Sequence, residues 1–134
     1  MTNKTIISSN VAFWLKGRGY NEATQYYYLL TGNNYARRSE LKRTIQNIFH
    51  NKIKLHLAAP TIEETKKWLK DKYNIECEAR PILGDFICRN NTEFYPCAVH
   101  NGKIIYCDQN NTFGTEARCY DKVFEYVLQN IKKT

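Results

Sequence analysis

The second half of the chain is constrained most by a change of hydrophobic period at Asn74. Upstream, apolar side chains recur at helical spacing after a capping-box start, in which Thr61 caps the helix and Glu64 follows three residues later. Downstream, residues 75–80 alternate between apolar and charged side chains, as in a half-buried strand. The pattern therefore predicts a helix that ends at Asn74, a residue that tolerates a left-handed cap, followed directly by a strand.

A hairpin turn is predicted at Asn101-Gly102, which stands between two apolar runs. Both residues tolerate the positive φ angles of a two-residue type I′ turn. Pro96 lacks a backbone donor, so its strand is expected at a sheet edge or bulged at that residue. The turn predicts two cross-strand pairs, Val99 with Ile104 and Cys97 with Tyr106.

The remaining C-terminal elements follow the same reasoning. A short strand is predicted over residues 85–89, and an apolar stripe predicts a final helix over 119–133. Residues 59–134 are thus expected to form a helix, an antiparallel three- or four-stranded sheet and a second helix, with both helices on one sheet face.

The first half, residues 1–58, is expected to be a basic and mostly helical region. Residues 10–19 fit a short helix or a strand. Residues 20–31 are interpreted as a helix, although three consecutive tyrosines also favour a strand. A helix with a clearer apolar stripe is predicted over 39–50. Apolar and polar side chains alternate over 53–57, which suggests an added strand. The apolar stripe of the 39–50 helix is Leu41, Ile45, Ile48 and Phe49. The fold class is α+β.

The net charge of +7 lies entirely in the first 60 residues. They contain nine Lys and Arg against two Glu, whereas the rest of the chain contains eleven basic and eleven acidic residues. Such asymmetry indicates an acidic partner for the first half.

The candidate binding residues lie in and around the basic segment 33–54. Basic side chains interleaved with tyrosines suit phosphate groups and unpaired bases, and a helix over 20–31 followed by one over 39–50 could form a helix-turn-helix. A solvated helix face is an equally good interpretation. The predicted contacts to a partner or nucleic acid are Arg37, Arg38, Lys42, Arg43, Lys52, Lys54 and Tyr35, with Tyr26, Tyr27 or Tyr28 nearby for stacking.

Catalytic and cofactor motifs are lacking in the sequence. There is no phosphate-binding glycine loop, dinucleotide fingerprint or zinc-protease motif. The five cysteines, Cys77, Cys88, Cys97, Cys107 and Cys119, show no C-x-x-C spacing, so each is interpreted as a small buried residue rather than a metal ligand. We therefore expect a protein that is not an enzyme and has no catalytic residues, metal or cofactor.

The C-terminal 76 residues resemble a loose family of small uncharacterised proteins from bacteriophages and gut Bacteroidales genomes. The matching pieces are residues 59–61 (APT), 68–69 (WL) and 73–75 (YNI), together with four apolar positions of the final helix, Tyr120, Phe124, Leu128 and Ile131. The resemblance implies a helix–small sheet–helix fold in a cytosolic product. The resemblance identifies no functional residue. This chain departs from the family pattern at Asp121-Lys122, where the family usually has two consecutive acidic residues after an aromatic one.

Charge, size and this resemblance together suggest a small phage or mobile-element protein that binds a host nucleoprotein. An inhibitor of a defence nuclease, of the anti-CRISPR kind, would suit such a chain. The alternatives are a direct DNA- or RNA-binding regulator and a protein that sequesters a nucleotide signal. No run of apolar residues is long enough to cross a membrane and no signal peptide is evident, so a cytoplasmic protein is expected, in the host cytoplasm if phage-encoded.

Overall fold

A computed structural model describes residues 5–31, 38–82 and 93–131 of the chain, with the backbone alone at Arg38. Within these ranges the fold is α+β, as predicted. The chain divides into two compact units, one extending to Thr61 and one spanning Ile62–Asn130. The elements of the first unit are α1 (Ser9–Gly17), β1 (Thr24–Thr31), β2 (Arg38–Ile48), a 3₁₀ turn (His50–Lys52) and β3 (His56–Ala58), and those of the second are α2 (Ile62–Tyr73), β4 (Ile75–Pro81), β5 (Phe94–His100), β6 (Lys103–Cys107) and α3 (Glu116–Asn130).

The first unit is built on an antiparallel sheet with the strand order β2-β1-β3. Tyr28 on the central strand donates a hydrogen bond of 2.6 Å to the carbonyl of Ile7, and α1 packs near β3. Ser8 caps α1 by accepting a hydrogen bond from the Val11 N–H. The fully buried residues Val11, Ala12 and Leu15 form the inner side of this helix.

The helices predicted over 20–31 and 39–50 are wrong, since these segments form β1 and β2. Helical spacing in a short segment is a weak signal, because an isolated helix of about a dozen residues is marginal without tertiary packing. Three adjacent tyrosines pack better on a pleated sheet, and β2 supplies the backbone partner that they need. The predicted helix-turn-helix is therefore wrong as well.

The second unit has the predicted order of helix, antiparallel sheet and helix, with the strand order β4-β5-β6. Asn74 ends α2 with a φ of 57°, so the left-handed cap is confirmed. The ring of Tyr106 on β6 stacks on that of Tyr126, with centroids 4.0 Å apart, which places α3 against this side of the sheet. The strand predicted over 85–89 lies outside the described residues.

The Asn101-Gly102 turn is confirmed, with φ angles of 51° and 81°. Val99 pairs with Ile104 as predicted, but Ala98 rather than Cys97 pairs with Tyr106. The register shift leaves Ile105 as an extra residue in β6, so every pair beyond it moves by one position.

The predicted position of Pro96 is wrong, since β5 is the central strand of its sheet and its register shift lies beyond Ala98. The Pro96 carbonyl accepts a hydrogen bond of 3.2 Å from the N–H of Asp108. Its nitrogen therefore faces the same side, where β6 has already ended at Cys107, and the missing donor interrupts no ladder.

Candidate partner-binding surface

β2 forms one edge of the first sheet. Its residues Arg38–Arg43 pair without interruption with Thr31–Tyr26, and in the described part of the chain no strand pairs with its other side. Most side chains of β2 are exposed. The strand therefore presents both its side chains and half of its backbone groups to solvent.

The regular pairing of β2 ends in a bulge at residues 44–47. Thr24 pairs with Ile48 and Tyr26 with Arg43, so Gln25 alone faces the four intervening residues. The Thr44 hydroxyl lies 2.6 Å from the Gln46 carbonyl and 3.0 Å from the Gln25 carbonyl. These contacts hold a folded loop, which we call the β2 bulge.

The β2 bulge projects an apolar side chain into solvent. Ile45 is 97% exposed, and its carbonyl accepts a hydrogen bond of 3.4 Å from the side-chain amide of Gln25. A shallow depression of about 320 Å³ lies beside it, lined by Gln25, Arg43, Thr44 and Ile45. Because the loop backbone is hydrogen-bonded on its inner side, Ile45 is presented on an ordered support.

Exposed apolar side chains extend beyond Ile45 in the first unit. Some of these side chains were predicted to lie in the core on the apolar stripe of a helix. They are exposed because a strand directs its side chains differently from a helix. Sequence reasoning therefore missed them as surface residues. Besides Phe13 on α1, they are Leu41, Phe49, Ile53 and Leu55, with exposures between 38% and 53%.

The predicted basic residues are divided between two places. Lys42 and Arg43 lie on β2, whereas Lys52 and Lys54 lie on the segment that leads to β3 at the opposite edge of the sheet. The single basic helix face that was predicted for residues 39–50 is thus wrong. Arg37 and Tyr35 lie outside the described residues, and Arg38 begins β2.

The two cations on β2, Lys42 and Arg43, contact neighbouring side chains at the protein surface rather than in a buried site. The Arg43 guanidinium lies 5.7 Å from the ring centroid of Tyr26. Lys42 Nζ lies 3.4 Å from a carboxylate oxygen of Glu40, and both side chains are about half exposed. Such an exposed pair contributes little to stability and can exchange partners at low cost.

The tyrosines of β1 are engaged within the protein. Tyr27 stacks on His50 and on His56, with ring centroids 4.2 Å apart in both cases. The Tyr28 hydroxyl donates a hydrogen bond to the Ile7 carbonyl, and the Arg43 guanidinium lies over the ring of Tyr26. The predicted role of these rings in stacking on bases would require each of them to leave an internal contact.

His50 and His56, whose rings stack on Tyr27, both favour their neutral forms. Burial is the main cause that lowers the pKa of His50, and the nearby imidazole of His56 adds to it. Burial also lowers the pKa of His56, with a smaller effect of Lys16. The Lys16 ammonium donates a hydrogen bond of 3.0 Å to the His56 carbonyl, so a positive charge already lies beside the neutral pair.

The described residues bring together no group of three or more His, Cys, Asp or Glu side chains that could hold a metal ion. Cys77, Cys97 and Cys119 are buried free thiols, which agrees with their interpretation as small core residues. Cys107 is exposed, so that interpretation is wrong there. It is the last residue of β6, an edge strand of the second sheet. Cys88 lies outside the described residues.

No helix among the described residues is both long and apolar enough to cross a membrane. Comparisons of the chain with protein-family models, curated proteins and solved structures give no match. The resemblance of residues 59–134 to small phage and Bacteroidales proteins therefore stays a prediction.

Proposed function

We propose that this protein is a non-enzymatic binding protein that engages an acidic protein surface through β2 and the β2 bulge. The observation that carries the proposal is that Lys42, Arg43 and the almost fully exposed Ile45 lie on one edge strand. The outer side of this strand pairs with no strand among the described residues. An apolar anchor beside cations is the composition expected of an interface that recognises an acidic partner.

A protein partner is favoured over direct binding of nucleic acid. Proteins that hold single strands use exposed aromatic rings for stacking, whereas Tyr26, Tyr27 and Tyr28 make contacts within this chain. The apolar side chains available on β2 are aliphatic, namely Leu41 and Ile45. The same engagement of the tyrosines weighs against a clamp for a nucleotide signal.

The biological role follows from the kind of partner. Size, the basic first half and the C-terminal resemblance support a phage or mobile-element protein that binds a host nucleoprotein. A host defence nuclease that presents an acidic protein surface would be such a target. Inhibition of such a nuclease, as by anti-CRISPR proteins, is the role that we propose.

Fluorescence anisotropy of labelled probes tests the proposal. The probes are an acidic peptide that repeats Glu-Glu-Val-Val, single-stranded RNA, single-stranded DNA and duplex DNA, each at low and near-physiological salt. We expect the peptide to bind, and the double variant Lys42→Glu/Arg43→Glu to weaken its affinity by about tenfold.

The matched control is Lys103→Glu/Arg118→Glu, which makes the same change in net charge at exposed positions of the second unit. It should change peptide affinity by less than about twofold. Binding of nucleic acid that survives physiological salt and is lost in the β2 variant would instead support a direct nucleic-acid binder. Absence of binding to every probe at low salt would overturn the proposal.

A further inference from the structure

We propose that β2 binds its partner by strand addition: an extended acidic segment of the partner pairs with residues Arg38–Arg43 as a fourth strand of the sheet. This inference rests on the proposed function and specifies its binding mode. It starts from the backbone, because an edge strand leaves every second residue with its N–H and C=O directed away from the sheet.

The edges of the two sheets differ in how much backbone they offer. β3, the opposite edge of the first sheet, has three residues, and β6 has five, with a register shift at Ile105. β2 has eleven residues, contains no proline, and runs through six consecutive pairs before its bulge. β4, one edge of the second sheet, is regular over seven pairs, but its side chains include Glu76 and Glu78 and it ends at Pro81. Because these carboxylates would repel an acidic segment, β2 is the better template for an added acidic strand.

The β2 bulge fixes where an added strand must end. Four residues of β2 lie opposite Gln25 alone, three more than a regular ladder contains. A partner can therefore continue the regular pairing only as far as Arg43. Beyond that point Ile45 projects into solvent. An added strand of about six residues would fill the regular edge, and its end would meet this side chain.

The side chains of β2 indicate the chemistry of the added strand. Lys42 pairs with Tyr27 and Arg43 with Tyr26, and neighbouring residues of a strand point to opposite faces of the sheet. The two cations therefore flank the edge on opposite faces. A strand laid along it can place acidic residues opposite cations on either face, and opposite charges on neighbouring strands attract.

A second copy of this chain fits the edge less well than an acidic segment. Residues 1–60 carry the whole net charge of +7, so pairing of β2 with another β2 would bring two basic units together. Charge complementarity thus selects an acidic segment as the occupant. Self-pairing remains a distinct outcome that the experiment can identify.

The experiment compares two labelled peptides with the full-length protein. Both repeat the sequence Glu-Glu-Val-Val, which directs carboxylates to both faces of an added strand. One of them is N-methylated along its backbone, which keeps the side chains and charge but removes the donors that strand pairing needs. We expect the unmodified peptide to bind at least about tenfold more tightly and to slow amide hydrogen exchange within Arg38–Arg43.

The outcomes separate this inference from the proposed function. Equal binding of both peptides, with loss in Lys42→Glu/Arg43→Glu, would show an acidic-partner site without strand addition and so overturn the inference alone. Failure of both peptides to bind would overturn both proposals. A dimer that forms without peptide and protects the β2 amides would show a second copy as the occupant, which also overturns the inference.

Discussion

His50 Nδ1 lies 3.1 Å from His56 Nδ1, and the two rings lie side by side against the ring of Tyr27. A contact between two imidazole nitrogens needs one proton, so the pair is satisfied when one ring donates and the other accepts. A second proton at this contact would remove the acceptor and leave a positively charged ring facing an N–H donor, and protonation of both rings would place two positive charges in contact. The pair thus ties β3 to the 3₁₀ turn in its neutral state.

Acidification should destabilise the first unit through this pair. Both pKa values are lowered from 6.5 by folding, so below about pH 6.5 the unfolded chain binds more protons than the folded one. The stabilisation by the neutral pair is therefore present above that pH and is lost as the pH falls through the lowered values. Urea unfolding at about pH 7.5 and about pH 5.5 measures the change. His50→Asn should show a smaller loss between the two pH values than the wild type, and an equal loss would contradict the role of the pair.

Leu55→Gly should stabilise the protein. Leu55 has a φ of 67°, which L side chains rarely adopt, and its side chain is about half exposed. Its carbonyl accepts a hydrogen bond of 2.8 Å from Leu30, so pairing with β1 holds it in this conformation. Glycine adopts it without a steric penalty, and we expect a gain of about 0.5–1 kcal/mol in the free energy of unfolding. The control Leu55→Ala keeps the strained backbone and should give no gain. A gain of the same size in both variants would assign the effect to the lost side chain instead.

Two Gly→Ala substitutions should have opposite effects. Gly102 has a φ of 81° in the hairpin turn, whereas Gly17 ends α1 without a positive φ, and an added methyl group has open space at both sites. Backbone conformation therefore decides the sign. Gly102→Ala should cost about 1 kcal/mol, and Gly17→Ala should add about 0.5 kcal/mol. Thermal and urea unfolding of the two variants measure the effects, and a change of the same sign in both would contradict this explanation.

Cys107 should be alkylated first among the described thiols, because it is exposed. Burial raises the pKa of Cys77 to about 12, and it raises those of Cys97 and Cys119 to about 11, so little of the reactive thiolate forms at neutral pH. Timed alkylation with iodoacetamide, followed by peptide mass mapping, resolves each site. All should react together in denaturant. Alkylation of Cys97 in the folded protein as fast as that of Cys107 would contradict the prediction.

The described second unit could be predicted well because its signals are local. The left-handed cap at Asn74 and the Asn101-Gly102 turn depend on backbone preferences of one or two residues. The exact pairing beyond Val99 could not be predicted, because the extra residue Ile105 has no sequence signal of its own. Cys107 was misjudged for a related reason, since exposure at the end of an edge strand depends on where its neighbours lie.

The sequence by itself determined the α+β class, the helices α2 and α3, the hairpin turn and the location of the charge excess. Only the tertiary structure decided that residues 38–48 form an edge strand rather than a helix. Leu41 and Ile45 fit the spacing of a helix, but pairing with β1 satisfies the backbone of both strands. The two histidines against Tyr27 help to hold β1 in place. Such pairing depends on residues distant in the sequence, which is why the candidate surface became visible only in the folded chain.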